Sequence, residues 1–481
     1  MPLILGTNSI KDTGYDVANS CRFEDGDGVQ LRKTPSDGGN QDVFTLSMWF
    51  KRGNLGIAAR LFTSKASAND RFEIFFGTDD TLTILGVDGG SSTLNLITTQ
   101  VFRDCSAWYH FCLAVDTGQA VAANRAKVYI NGTQVSAFGT ETYPSEDGNI
   151  GINTSSFPVR IGEEDATGVD FDGYMAEIVF LDSTQAAITS FGEFDEDSPT
   201  IWKPIDVSDL SGSKGTNGFY LDFEDSSNLG NDIFGGTDFT EANLAAVDQA
   251  IDTPTNNFCV MNPLYYRYQG PSAPTRTATT LSQGNCKSVH SDGGGTTPGW
   301  GTIMLNHGKW YFEMKAVIVN YLYIGTWQTM GAWTNPGLYD GLSGVNTYRP
   351  SDGQTNDENV GLASYGDSYA NNDIIGCAFN CDTGTIWFSK NGTWQNSATQ
   401  GEVVAGTTTN AAFTGKAYST NGVVPIVTGY YGASVEANFG GCSAFAITSG
   451  NADDNGLGNF EYDVPTGYYS ICTKNLAEFG G

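Results

Sequence analysis

"AKVYINGTQV" (126–135) and "GTIWFSKNGTW" (384–394) carry the same device about 260 residues apart. In each, a strand-like run reaches Asn-Gly and a second run begins. Along "KVYI", Val128 and Ile130 point to one face and Lys127 and Tyr129 to the other, the period of a half-buried strand. Asn131-Gly132 then supplies two residues that tolerate positive φ, as a two-residue type I′ hairpin requires. In the second stretch Ile386 and Phe388 share a face, opposite Thr385, Trp387 and Ser389. Two such hairpins, so widely separated, predict two antiparallel modules.

The rest of the chain agrees. From 17 to 225, short runs such as "FTLSMWFKR", "RFEIFFG", "TLTILGV" and "YMAEIVFLD" alternate with Gly/Asp/Asn clusters, the rhythm of a β-sandwich. The pattern fails between 226 and 280, where polar sequence with Pro254 and Pro263 leads into "QGPSAPTRTATT". That composition reads as a linker lying against the domains. Strand runs return over 281–481, among them "GKWYFEMKAVIV" and "YLYIGTW". The expected fold is all-β: an N-terminal arm (1–16), a sandwich (17–225), a long irregular linker (226–280) and a second jelly-roll-like sandwich (281–481).

Composition narrows the function. Sixty glycines with 28 Phe, 22 Tyr and 9 Trp suit turn-rich sheets, and 40% hydrophobic residues suffice for packed cores. The net charge of −30 repels phosphate backbones and anionic lipid, which argues against nucleic acid as a partner. No 18-residue apolar run offers a membrane span, and "MPLILGTNSIKDTGY" lacks the basic start of a signal peptide. Nine cysteines show no CxxC. Cys377 and Cys381, on one strand face, would lie about 13 Å apart, too far to bridge. Buried free thiols and assembly in a reducing cytoplasm are expected.

Family patterns now appear. "WYHFCLAVD" (108–116), "KVYINGTQV" (127–135) and "FDGYMAEIVFLDST" (171–184) resemble laminin-G/concanavalin A-like sandwiches. "GKWYFEMKA" (308–316), "NNDIIGCAFNCDTGTIWFSKNG" (371–392) and "VVPIVTGYYGASVEANFG" (423–440) resemble a SPRY domain. The combination is similar to virion proteins of tailed, particularly aquatic, bacteriophages. That resemblance implies a tail fibre or capsid-surface fibre, assembled as a homotrimer with other virion proteins. Its partner would be a host cell-surface glycan or protein. A decoration or tail-adaptor protein and a glycan hydrolase are the alternatives.

One hydrolase family on the concanavalin A-like fold carries Glu-x-Asp-x-(x)-Glu on a strand. Here "GEFDEDSPT" offers Glu193, Asp195 and Asp197, but Pro199 ends strand pairing and the last acid is Asp. Glu24, Asp25 and Asp27 lie in a glycine-rich turn. No catalytic set emerges, and His110, within "WYHFCL", reads as a packed strand residue. The one cofactor the sequence leaves room for is Ca²⁺, which takes several oxygens from one or two loops. "GEEDATGVDFDG" offers Glu163, Glu164, Asp165, Asp170 and Asp172, and "GTDD" adds Asp79 and Asp80. For recognition, the irregular 326–373 segment places Trp327, Trp333, Tyr339, Tyr348, Tyr365 and Tyr369 as stacking platforms for sugar rings or protein, joined by Trp387.

Overall fold

The computed structural model describes residues 14–26, 28–164, 169–264, 279–290, 297–328, 344–357 and 361–480. The chain divides into two compact units, one spanning Thr13–Thr255 and the other containing Asn256–Gly481.

In the first unit two eight-stranded sheets face each other. One sheet runs Thr133–Gln134, Ala126–Ile130, Tyr109–Asp116, Val43–Arg52, Gly173–Asp182, Ser20–Phe23 and Gln249–Ala250, with Phe219–Leu221 also paired to Gly173–Asp182. The second runs Phe138–Thr142, Ser91–Val101, Thr81–Asp88, Asp70–Phe76, Ala59–Ser67, Val159–Ile161, Gln30–Lys33 and Thr240–Ala242. The alternation read from "KVYI" holds, since Ala126, Val128 and Ile130 are buried while Lys127 and Tyr129 are half-buried. Phe44, Leu46, Phe72, Ile74, Leu113 and Met175 meet in the core, each such burial worth about 1.5–3 kcal/mol.

The second unit is also a two-sheet sandwich. Its eight-stranded sheet orders Thr280–Ser282, Lys287–Val289, Ser434–Asn438, Lys309–Ile318, Ile374–Asn380, Thr385–Lys390 and Thr393–Trp394; Tyr469–Ser470 joins Lys309–Ile318 in parallel. The six-stranded sheet orders Thr297–Trp300, Val423–Gly429, Tyr323–Gln328, Val345–Tyr348, Gln354–Asp357 and Gly361–Ser364. Ile386 and Phe388 enter the core between the sheets. The nine cysteines are buried free thiols.

The Asn-Gly hairpins form as expected. Asn131 and Gly132 adopt φ +47° and +75°, and Asn391 and Gly392 adopt +47° and +76°. An aromatic ring lies on each glycine: a Cβ at Gly132 would sit 2.2 Å from the Trp202 ring, and one at Gly392 would sit 2.6 Å from the Tyr462 ring.

The 226–280 linker needs correction wherever it is described. Thr240–Ala242 extends the sheet beside Gln30–Lys33, and Gln249–Ala250 pairs with Ser20 and Cys21. Phe234 and Phe239 are buried, and Asp252 forms a buried ion pair with Lys51 (2.7 Å) while accepting from Trp108 Nε1 (3.0 Å). From Asn256 the chain enters the second sandwich, where Phe258 bridges Cys472 and Met261 is fully buried. Edge strands of two or three residues carry no readable periodicity. Polar anchors such as Asp252 make such a segment look like loop. Residues 265–278, and 1–13 of the arm, lie outside the described residues.

Candidate functional site

Among the described residues, two clusters of like side chains gather groups that suit binding. The first is an acidic rim on the first sandwich. Ser20–Phe23 pairs antiparallel with Gly173–Asp182, Phe23 opposite Gly173, so Glu24 and Asp25 leave the sheet where Asp172 enters it. Val159–Ile161 ends at Gly162 (φ +90°), and Phe171 N–H donates to Gly162 C=O at 2.8 Å, closing the neck of the loop that carries Glu163 and Asp170. One carboxylate oxygen from each of Glu24, Asp25 and Asp172 falls within 4.8 Å of the others. Asn54 Nδ2 donates to Asp25 at 2.7 Å. Gly53 leaves room for the Asp172 carboxylate, since a Cβ there would lie 1.8 Å from Asp172 Oδ1.

Glu163 and Asp170 are 2% and 4% exposed, and Glu163 Oε2 and Asp170 Oδ1 have no hydrogen-bond partner among the described residues. Burial, then Glu163 and Asp25, pushes the Asp170 carboxyl up to about 6. Buried carboxylates with unanswered oxygens are costly unless a cation meets them. An all-oxygen donor set of this kind suits a hard divalent ion, not a soft metal. Glu24, Asp25 and Asp172, with Glu163 and Asp170 alongside, would hold it and leave remaining positions for ligand oxygens.

Of the five acids expected from sequence, Asp172 joins Glu24 and Asp25 in one group, and Asp170 lies near enough to Glu163 and Asp25 for their charges to act on it. Glu164 is turned away, ion-paired to Arg60 (3.1 Å) and Lys65. Asp165 lies outside the described residues. Asp80 is also taken, by Arg52 (3.1 Å), Arg103 (2.7 Å) and the Gly56 N–H (2.7 Å). In the sequence Glu24 and Asp25 mark only a glycine-rich turn. Antiparallel pairing across 150 residues, invisible in local spacing, recruits them.

The second place is aromatic. The five expected platform rings that fall within the described residues are interior, so the expectation is corrected for them. Trp327, 2% exposed, stacks on Trp300 at 5.1 Å. Tyr348 stacks on Phe388 at 5.4 Å. Tyr369 Oη donates to backbone carbonyls, and Tyr365 Oη accepts from Phe388 N–H at 3.1 Å. Trp387 packs with Phe460 and Tyr468 on the outer face of its sheet. A sandwich interior needs large rings, and backbone partners satisfy the hydroxyls. Trp333 and Tyr339 lie outside the described residues.

Exposed rings in the second unit gather elsewhere: Tyr321 and Tyr431, 45% and 51% exposed, group with Tyr430. Ring centroids lie 3.8 Å apart for Tyr430–Tyr431 and 6.1 Å for Tyr321–Tyr431. Register sets this, because Tyr323 opposite Thr428 puts both turns at one end of the sheet. Tyr321 and Tyr431 adopt φ +48° and +52°, strained for bulky residues, and Asn320 Nδ2 holds Tyr431 C=O at 3.0 Å. The signal available in sequence was tyrosine placed in turns, "NYLY" and "GYYG".

Of the acids considered for hydrolysis, Glu193 and Asp195 are engaged and Asp197 is exposed. Lys203 Nζ lies 3.4 Å from both Glu193 and Asp195, and Asp195 accepts from the N–H groups of Asp197 and Ser198. His110 is buried, accepting from Trp202 Nε1 at Nδ1 (3.0 Å). Its Nε2 therefore carries the proton and donates to Ser47 Oγ (2.8 Å), so it cannot act as a base toward that serine.

Comparison with known families matches residues 23–186 to the concanavalin A-like lectin/glucanases superfamily and residues 309–441 to the SPRY domain. Among solved structures, the chain aligns with a native heptameric SAP-like pentraxin from Limulus polyphemus at 16% identity, covering 36% of this chain and 81% of that one, TM-score 0.28. The SPRY domain of human HERC1 aligns at 19% identity over 33% and 89%, TM-score 0.23. Domain 4 of AbnA, a GH43 extracellular arabinanase from Geobacillus stearothermophilus, in complex with arabinotriose, aligns at 16% over 33% and 68%, TM-score 0.26. No curated protein sequence matches the chain.

Proposed function

We propose that this chain, a concanavalin A-like domain followed by a SPRY domain, is a non-catalytic binding component of a bacteriophage virion, a tail or capsid-surface fibre that engages host cell-surface glycan. The observation that carries the binding reading is the acidic rim, where Glu24, Asp25 and Asp172 bring carboxylate oxygens within 4.8 Å of one another, with the buried Asp170 close enough to Asp25 to feel its charge. Ca²⁺ held there would offer vacant positions to sugar hydroxyls. The description of the matched family, which spans lectins and glucanases, supports glycan as the ligand class. The Tyr321–Tyr430–Tyr431 cluster gives the second domain an exposed aromatic surface for glycan or protein. Buried free thiols suit assembly in a reducing host cytoplasm. Other virion proteins are the assembly partners, and trimerisation would multiply weak single contacts through effective concentration.

The test is a glycan array probed with the full chain in Ca²⁺ and in EDTA, alongside Ca²⁺ calorimetry. Retention on a defined glycan class in Ca²⁺, lost in EDTA and in Asp170→Asn, is the expected result. Absence of Ca²⁺ binding, or equal retention in both buffers, overturns the cation-dependent reading. Mass spectrometry of purified particles tests the virion assignment.

A further inference from the structure

The second unit contains a cavity of about 270 Å³ that belongs to neither site above. Its walls include Tyr311, Trp394, Gln400, Asn451, Tyr462 and Asp463. Half of this wall comes from the segment 449–463, beyond the residues matched to the SPRY family. That segment is a built structure. Asn451 and Phe460 exchange backbone hydrogen bonds at 2.8 Å, and both Glu461 carboxylate oxygens accept from Thr448.

A buried carboxylate fixes the segment to the sheet. Glu313, 0% exposed, accepts from Tyr311 Oη (3.0 Å), Glu461 N–H (2.9 Å) and Tyr462 N–H (2.9 Å). Three wall residues are therefore positioned by one group. Gly392 completes the arrangement, because any Cβ would strike the Tyr462 ring. Such support from behind is what holds a binding site in one geometry.

The lining selects a ligand class. Among the described residues no lysine or arginine lines the cavity, which disfavours phosphate, sulfate or carboxylate ligands. The Glu461 carboxylate already accepts from Thr448, so among the described lining residues Asp463 is the other charge, too little for a cation cage. What remains is an indole and a phenol beside carboxamides and hydroxyls, groups that pair apolar ring faces with equatorial hydroxyl patterns. The volume is just under the roughly 300 Å³ where drug-sized sites begin, so one ring fits. We propose that this cavity binds a single neutral pyranose unit, with Trp394 and Tyr462 supplying ring contact and Gln400, Asn451 and Asp463 reading hydroxyls. Glu313 is a positioning residue.

This inference extends the glycan-binding reading but is independent of the cation rim, so its test is run throughout in EDTA. The full chain is titrated with methyl glycosides of glucose, galactose, mannose and N-acetylglucosamine. Choline and inorganic phosphate serve as cationic and anionic arms. Saturation-transfer NMR and calorimetry are the readouts. Saturable binding of at least one glycoside is expected, weakened about tenfold by Trp394→Ala. Gln400→Ala, at an exposed position where an unchanged melting temperature is expected, should weaken it about threefold. Binding of no glycoside, preference for choline or phosphate, or glycoside affinity unchanged in both variants would overturn the assignment. Array retention lost in EDTA with glycoside binding intact separates the two sites.

Discussion

Gly132 and Gly392 each hold a place where an aromatic ring lies and a side chain would begin. Both have positive φ, and an added Cβ meets Trp202 or Tyr462 at contact distances real atoms avoid. Gly406 has a similar φ of +71° but open space around it. Gly132→Ala and Gly392→Ala should each cost about 2–4 kcal/mol, backbone strain plus overpacking. Gly406→Ala should cost about 1–2 kcal/mol, strain alone. Urea unfolding of the three variants checks the ordering, and equal losses would mean that the rings move aside freely. The Asn-Gly turns were legible because the requirement is local. The rings were not, since Trp202 arrives from seventy residues away. A second residue-scale prediction concerns Glu177, buried at φ +50° in a bulge where the register shifts between Ala176 and Val179. Burial pushes its carboxyl up to about 8, against the hydrogen bond from Tyr220 Oη (2.8 Å), with Tyr15, Asp222 and Glu224 nearby. A raised folded pKa means the stabilising protonated form is fully effective below the unfolded value near 4.5 and is lost as pH climbs through about 8. Wild type should therefore lose stability relative to Glu177→Gln between pH 5 and pH 8.5. A pH-independent difference in urea midpoint would refute it.

At the scale of elements, the segment 226–255 decides how the first sandwich is finished. It adds an edge strand to each sheet and pins itself through Arg22–Asp248 (2.8 Å) and the buried Lys51–Asp252 pair. Both members of the latter are at most 1% exposed, so removing one leaves the other charge stranded in the core. Lys51→Met should cost about 3–5 kcal/mol, and adding Asp252→Leu should recover part of that loss. Denaturant unfolding of the single and double variants gives the coupling directly, and strict additivity would show that the pair does not act as a unit. Sequence reading found the long strands well: Val43–Arg52, Tyr109–Asp116, Lys309–Ile318 and Thr385–Lys390 all announce themselves by apolar alternation or β-branched and aromatic runs. It missed the short closing strands, whose contribution is a few ladder bonds and a buried charge. The candidate sites followed the same rule. Glu163, Asp170 and Asp172 were visible as a dense local run of acids, whereas Glu24 and Asp25 joined them only through sheet pairing. Aromatic content in 326–373 was a true signal of packing. It was a misleading one of exposure, because Tyr348, Tyr365 and Tyr369 satisfy their hydroxyls inside the core.

Across the whole molecule, two separate cores within one chain imply two melting events. Among the described residues no helix is long and apolar enough to cross a membrane, and every acid of the cation rim lies in the unit Thr13–Thr255. Ca²⁺ should therefore stabilise that unit and leave the one containing Asn256–Gly481 unchanged. At a free concentration one hundred times the dissociation constant, mass action contributes about 2.7 kcal/mol. For a unit of this size that is a rise of roughly 5–10 °C in its midpoint. The net charge of −30 supplies a competing explanation, since any salt relieves general repulsion among carboxylates. The two effects differ in range and selectivity. Screening acts on both units and follows ionic strength, whereas a site acts on one and follows the ion's coordination preference. Calorimetric melts in Ca²⁺, in Mg²⁺ and in NaCl at matched ionic strength separate them. One transition rising in Ca²⁺ alone, and failing to rise in Glu163→Gln, is the expected pattern. Equal shifts of both transitions in all three salts would assign the acidic rim to surface charge and remove its claim to a cation.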